Sequence, residues 1–185
     1  MLIARDKKKN NIAEYILYMW QLEDLFRALH LNIDEVDKSI VQNYKVDDAT
    51  KKQIYDWYDN LINMMNKENL TKSGHLQVIM NTVNELTELH FYLMQKLHDN
   101  RYNQIVSMAV SSLIEFRGRS KVGNDVSDVE LALNALYGNL LLKLQHKEIS
   151  PQTTLAMESF SRMLAYLSTV YKKMDEEEDR SFIES

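Results

Sequence analysis

The chain has no cysteine among its 185 residues. That one absence removes disulfides, thiolate metal ligands and a cysteine nucleophile together, and it suits a reducing compartment. Proline occurs once and glycine four times. So little turn punctuation argues against many short strands and in favour of long helices. No apolar run approaches the roughly 18 residues of a membrane span. The opening MLIARDKKKNN puts four apolar residues ahead of the basic run, the reverse of a secretory signal, whose apolar core is also longer. An excess of positive charge is missing too. The formal net charge is −5, which argues against a general affinity for nucleic acid, since lysine and arginine on phosphates supply most non-specific binding. A soluble, cytoplasmic protein is expected, with neither membrane nor nucleic acid as its partner.

What is present fits a helical protein. Hydrophobic residues make up 45% and charged residues 26%, ordinary values for a globular chain. A domain of this length buries roughly 70% of its unfolded surface. At about 100° per residue, Ile12, Tyr15, Tyr18, Met19, Leu22, Leu25, Phe26 and Leu29 share one stripe, predicting a helix near 10–30. Shorter apolar patterns predict helices near 34–44 and 49–67, the latter capped by Asp47 or Asp48. Thr71 to Gly74 interrupts, and helices near 75–97 and 101–116 follow. Arg117 to Asp125, with two glycines and no periodicity, reads as the longest loop.

The segment 127–145, SDVELALNALYGNLLLKLQ, is apolar almost all round, the mark of a central, buried helix. Ser150-Pro151 supplies a cap and a first-turn proline for a last helix to about residue 174. The acidic run from Asp175 to Asp179 reads as a solvated, frayed tail. The expectation is an all-α, single-domain bundle of six to seven helices over 1–174, with a tail at 175–185.

Several words of the sequence carry a resemblance: EYILYMWQLEDLFRA at 14–28, GHLQ at 74–77, LH at 89–90, NALYGNLLLKLQ at 134–145 and KEIS at 147–150. Together they resemble an all-helical family of similar length, found mainly in Bacteroidetes and classed as a domain of unknown function. The resemblance covers nearly the whole chain. It implies a bacterial, cytoplasmic, all-helical protein, and it brings no activity, substrate or catalytic residue with it.

The candidates for chemistry are few. Trp20 lies about 150° from the centre of its helix's main stripe, among Glu23, Asp24 and Arg27. Either this helix is covered on a second side, by neighbours or by another subunit, with Glu23 and Arg27 as an i,i+4 pair, or the indole stacks a ligand beside a carboxylate. His90 falls on an apolar stripe between Leu86 and Met94, so it should be buried, neutral and hydrogen-bonded, with Thr87 or a distant carboxylate as partner. His75 follows Gly74 at a helix start, where free amides can receive an anion; a plain capping turn explains it as well. Asn134, Gly138 and Gln145 share a face, with Tyr137 beside them. Gly138 costs about 1 kcal/mol of helix propensity, suggesting that another helix passes close and that Asn134 makes a buried polar contact.

No Glu-x-x-His pair of the di-iron kind occurs, and His98-Asp99 is a bare dipeptide, so no metal and no cofactor is expected. Arg5 and Lys7 to Lys9, and Arg117, Arg119 and Lys121, form two basic clusters without interleaved aromatics. These features point first to a non-enzymatic helical interaction module, a homodimer or protein binder through the Trp20 face. The alternative is a small-ligand binder or enzyme with an inter-helix pocket around Trp20, Asp24 and His90. A third reading, a nucleic-acid regulator, uses the two basic clusters.

Overall fold

In a computed structural model, residues 2–120, 123 and 125–183 are described, with side chains for 3–120, 123 and 125–177. Every regular element among them is helical. Eight α-helices follow in order: α1 (Leu2–Asn10), α2 (Ile12–Ala28), α3 (Ile33–Ser39), α4 (Asp48–Lys67), α5 (Gln77–Phe91), α6 (Asn100–Ser120), α7 (Asp128–Leu144) and α8 (Pro151–Ile183). A 3-10 turn (Val41–Asn43) follows α3, and a π-helical turn (Tyr92–Lys96) extends α5.

The count exceeds the six or seven expected because α1 is a helix of its own, built from LIARDKKKN. Its short apolar start and long basic remainder give no stripe to detect. Two boundaries also differ. The region 117–125 is not one loop: α6 continues through Arg117, Gly118 and Arg119 to Ser120, while Lys121 lies outside the described residues. The acidic run is helical, since α8 extends to Ile183, with Asp175, Glu176 and Glu177 exposed.

The helix ends follow from local chemistry. Asn32, Asp47, Ser127 and Ser150 each accept a hydrogen bond from a backbone N–H two or three residues on, capping α3, α4, α7 and α8. At the other ends, glycine is scarce, and His30, Asn69, His98 and His146 take the positive φ that closes a helix. Asparagine and histidine enter that region more readily than most residues with a side chain. Three of the five histidines are accounted for in this way, and His98 of the HD dipeptide is one of them.

The chain forms two compact units, Met1–Lys8 with Glu14–Thr82, and Lys9–Ala13 with Val83–Ser185. In the first, Ile16, Met19, Trp20, Phe26, Tyr58 and Met65 are buried without exposed surface worth more than 2%. Helix α2 therefore buries two faces, one through Met19 and Phe26 and another through Ile16 and Trp20. In the second unit, α6, α7 and α8 pack on one another, around Tyr102, Leu131, Leu133, Phe160 and Met163. The expectation of a central, buried helix holds for the first half of α7, where Val129, Leu131, Ala132, Leu133 and Ala135 are buried. The second half is different: Leu142 is 37% and Leu144 is 64% exposed. Among the described residues, no helix is long and apolar enough to cross a membrane.

Candidate functional site

The polar residues around Trp20 have an intramolecular task. The segment between α4 and α5 folds over this side of α2 and is tied down by it. Glu23 is buried, at 1% exposure; its Oε1 accepts from the Leu76 N–H at 3.0 Å and its Oε2 lies 2.6 Å from His75 Nδ1. A carboxylate only accepts, so the imidazole Nδ1–H donates. The same imidazole stacks on the Trp20 indole, with centroids 4.2 Å apart and planes inclined by 16°. Arg27 donates from Nη1 to Asp24 Oδ1 at 2.6 Å and from Nε to the Leu70 carbonyl at 3.0 Å, and its Nη2 reaches the Gly74 carbonyl. Gly74 has φ of +91°, a conformation that side-chain-bearing residues rarely adopt.

One expectation changes here. Glu23 and Arg27 do not pair with each other, because each is held by the loop backbone instead. Two of the amides at the start of α5 are taken by the chain's own side chains, as a capping turn requires. Leu76 N–H is taken by Glu23, and Gln77 N–H donates to Glu68 Oε2 at 2.7 Å. Two of the chain's own carboxylates already complement the positive end of this helix. Trp20 itself has no exposed surface in the single chain.

His90 lies in the second unit with a partner sequence reasoning did not name. It is buried, and Nδ1 is 2.6 Å from the Tyr102 hydroxyl. Thr87, the expected partner, donates to the Val83 carbonyl and meets the Ser127 hydroxyl. Burial holds His90 below its ordinary pKa, against the pull of the Asp128 charge, and burial raises Tyr102 above its own. Tyr102 stacks on Tyr166 at 5.3 Å, and Tyr166 donates to Asp99 Oδ2 at 2.7 Å. Asp99 Oδ1 accepts the Arg101 and Tyr102 N–H groups at the start of α6. Those bonds, the Tyr102 N–H first and the Tyr166 hydroxyl next, keep its carboxyl below the usual range. The HD dipeptide is thus a helix stop followed by a helix cap. Trp20 and Asp24 belong to one unit and His90 to the other.

The basic clusters are partly committed as well. Arg117 donates to the Gly123 and Val126 carbonyls and to Asp128, Arg119 pairs with Glu115 at 2.6 Å, and Lys7 pairs with Glu14 at 3.0 Å. Among the described residues, no group of three or more His, Cys, Asp or Glu side chains is placed to hold a metal ion.

The second unit holds open space in more than one place, including a cleft of about 730 Å³ lined by Glu85, Glu88, Tyr92 and Tyr171. A cleft of about 650 Å³ runs between α6, α7 and α8. Its walls include Phe116 from α6, Ala135, Gly138 and Leu141 from α7, and Ala156 and Met157 from α8. The polar rim carries Glu115, Arg119 and Gln152, tied together because Gln152 Nε2 and Arg119 Nη2 both donate to Glu115. Lys147 lines another edge.

Gly138 borders this cleft. A Cβ placed on it would meet nothing within 4 Å, so no neighbouring helix passes close there. Asn139 also lines the cleft, and its Oδ1 is buried with no hydrogen-bond partner in the protein. Asn134, expected at a buried polar contact, and Tyr137, a ligand or interface candidate, are half-buried and outside the cleft lining, whereas Gln145 is in it. Sequence reasoning missed Asn139. Its only signal was its place beside a mid-helix glycine.

No curated protein and no solved structure matches the chain. A family model does, over residues 1–178, and the chain belongs to that family, the domain of unknown function DUF4924.

Proposed function

We propose that the chain is a non-enzymatic, cytoplasmic binding module that takes a small apolar molecule in the cleft between α6, α7 and α8. One observation carries the reading: Gly138 of α7 borders a cleft of about 650 Å³ with nothing within 4 Å of where its Cβ would be, a volume within the range of small-ligand sites. The strongest acid–base candidates support a binding role over a chemical one. Glu23 is spent on His75 and the Leu76 N–H, and His90 on Tyr102.

The test is binding of anilinonaphthalene sulfonate, whose fluorescence rises in apolar clefts. Wild-type protein is expected to show a saturable rise with one site per chain, and Gly138→Phe, which fills the cleft from a position with open space, is expected to lose it. Equal binding by both proteins contradicts the assignment.

A second reading has support of its own. Met108, Ile114, Leu144 and Leu155, on the same three helices, are each more than 60% exposed, and such residues suit a protein partner or a second copy. Self-association would then run through this region and not through Trp20. Light scattering checks it: a dimer that Leu144→Glu reduces to monomer supports this reading, and a wild-type monomer removes self-association.

A further inference from the structure

Resting on the cleft assigned above, we infer that the apolar molecule it takes carries one negatively charged head, received at the cleft edge by the Lys147 ammonium. The walls supply half of the argument. Phe116, Ala135, Leu141 and Met157 line the cleft and ask for an apolar body, since burial of apolar surface provides most of the affinity in such a site. The charged residues of the lining supply the other half. They are Glu115, Arg119 and Lys147, one negative and two positive, in a chain whose formal net charge is −5.

Two of these charges are already matched. Glu115 accepts from Arg119 Nη2 at 2.6 Å and from Gln152 Nε2 at 3.1 Å. Lys147 is exposed, and among the described residues it enters no ion pair. The edge therefore carries one uncompensated positive charge. The 730 Å³ cleft of the same unit has the opposite sign: Glu85, Glu88 and Asp175 line it, with no basic residue among its described walls. An anion is drawn to the first cleft and repelled from the second. A lysine's flexible stem lets its ammonium follow the head while both stay in water. An apolar cleft without such a charge would rank ligands the other way, because a charged head resists leaving water and a neutral alcohol does so less. Preference for the anion is thus the mark of Lys147.

Two fluorescent probes with the same apolar body separate the cases: 1-pyrenebutyrate, whose head is a carboxylate, and 1-pyrenebutanol, whose head is neutral. Titration of the full chain near neutral pH and at low ionic strength should show the butyrate binding roughly three- to fivefold more tightly, a preference that shrinks as salt is raised. Lys147→Met keeps the bulk of the stem and removes the charge at an exposed position, where folding is not at stake. In that variant the alcohol should bind as it does to wild type, and the butyrate no more tightly than the alcohol. Equal affinities in wild type, or a tighter alcohol, overturn the inference and leave the cleft assignment standing. A preference that persists in Lys147→Met overturns it as well, because another group then receives the head. Binding of neither probe, or binding that Gly138→Phe leaves unchanged, overturns the cleft assignment itself.

Discussion

Two polar groupings sit against helices that are otherwise apolar, and they differ in how they are satisfied. On α2, Glu23 and Arg27 are held by the backbone of one loop and by the side chains of His75 and Asp24. On α7, the Asn139 acceptor is buried beside open space and has no protein partner. The first arrangement reads as architecture, since a satisfied buried polar group fixes one conformation of the loop it holds. The second is a buried acceptor left unpaired, in a residue that borders the cleft proposed above as a binding site. Unusual residue types alone do not separate the two, since both groupings look odd in the sequence. The difference lies in what their polar atoms touch.

Substitutions should expose this contrast, and the largest effect belongs to the satisfied cluster. Glu23→Ala strips the partner from His75 and from the buried Leu76 N–H, and is expected to lower stability by about 2–4 kcal/mol in chemical denaturation. Loss of under about 0.5 kcal/mol would mean that the loop is not held through Glu23. Trp20→Glu belongs with it: a charge placed where exposure is 0% should unfold the unit, so that variant reports on folding and not on association.

A middle effect concerns His90. Its pKa lies below the ordinary 6.5 through burial, so folded and unfolded chains are both neutral there above that value, and this contribution to stability is fully present. As pH falls from 6.5 through the lowered folded value, the unfolded chain binds a proton that the folded one resists, and stability declines. The slope from one such group is at most about 1.4 kcal/mol per pH unit. Denaturation of wild type and His90→Phe across pH 5–7 should show a shallower slope in the variant; parallel curves would mean that His90 titrates alike in both states.

The smallest effect has the opposite sign. Gly138→Ala adds a methyl that meets nothing within 4 Å and should raise stability by about 0.5–1 kcal/mol. A destabilised variant would show that the space is not open, and the contrast between α2 and α7 would weaken with it.

Helical phase made the stripe of α2, the apolar start of α7 and the caps at Asp47 and Ser150 legible in the sequence, because each depends on neighbours within a turn or two. It also marked Trp20 and Gly138 as unusual. What it did not supply was their partners. Trp20 finds His75 and His90 finds Tyr102 across separate helices or loops, and no local pattern encodes those meetings. Gly138 shows the limit most clearly. A glycine on an apolar helix signals either close approach or open space, and only the positions of α6 and α8 decide for space. Helix α1 escaped for a different reason, since a largely basic nine-residue segment has no periodicity to find.

The claim that the second unit holds a small molecule is tested most directly by native mass spectrometry of the protein purified gently from its own cells, beside Gly138→Phe expressed in the same way. The account predicts one small additional mass per wild-type chain, absent from the variant. A bare wild-type chain, or an adduct carried equally by both proteins, would contradict it.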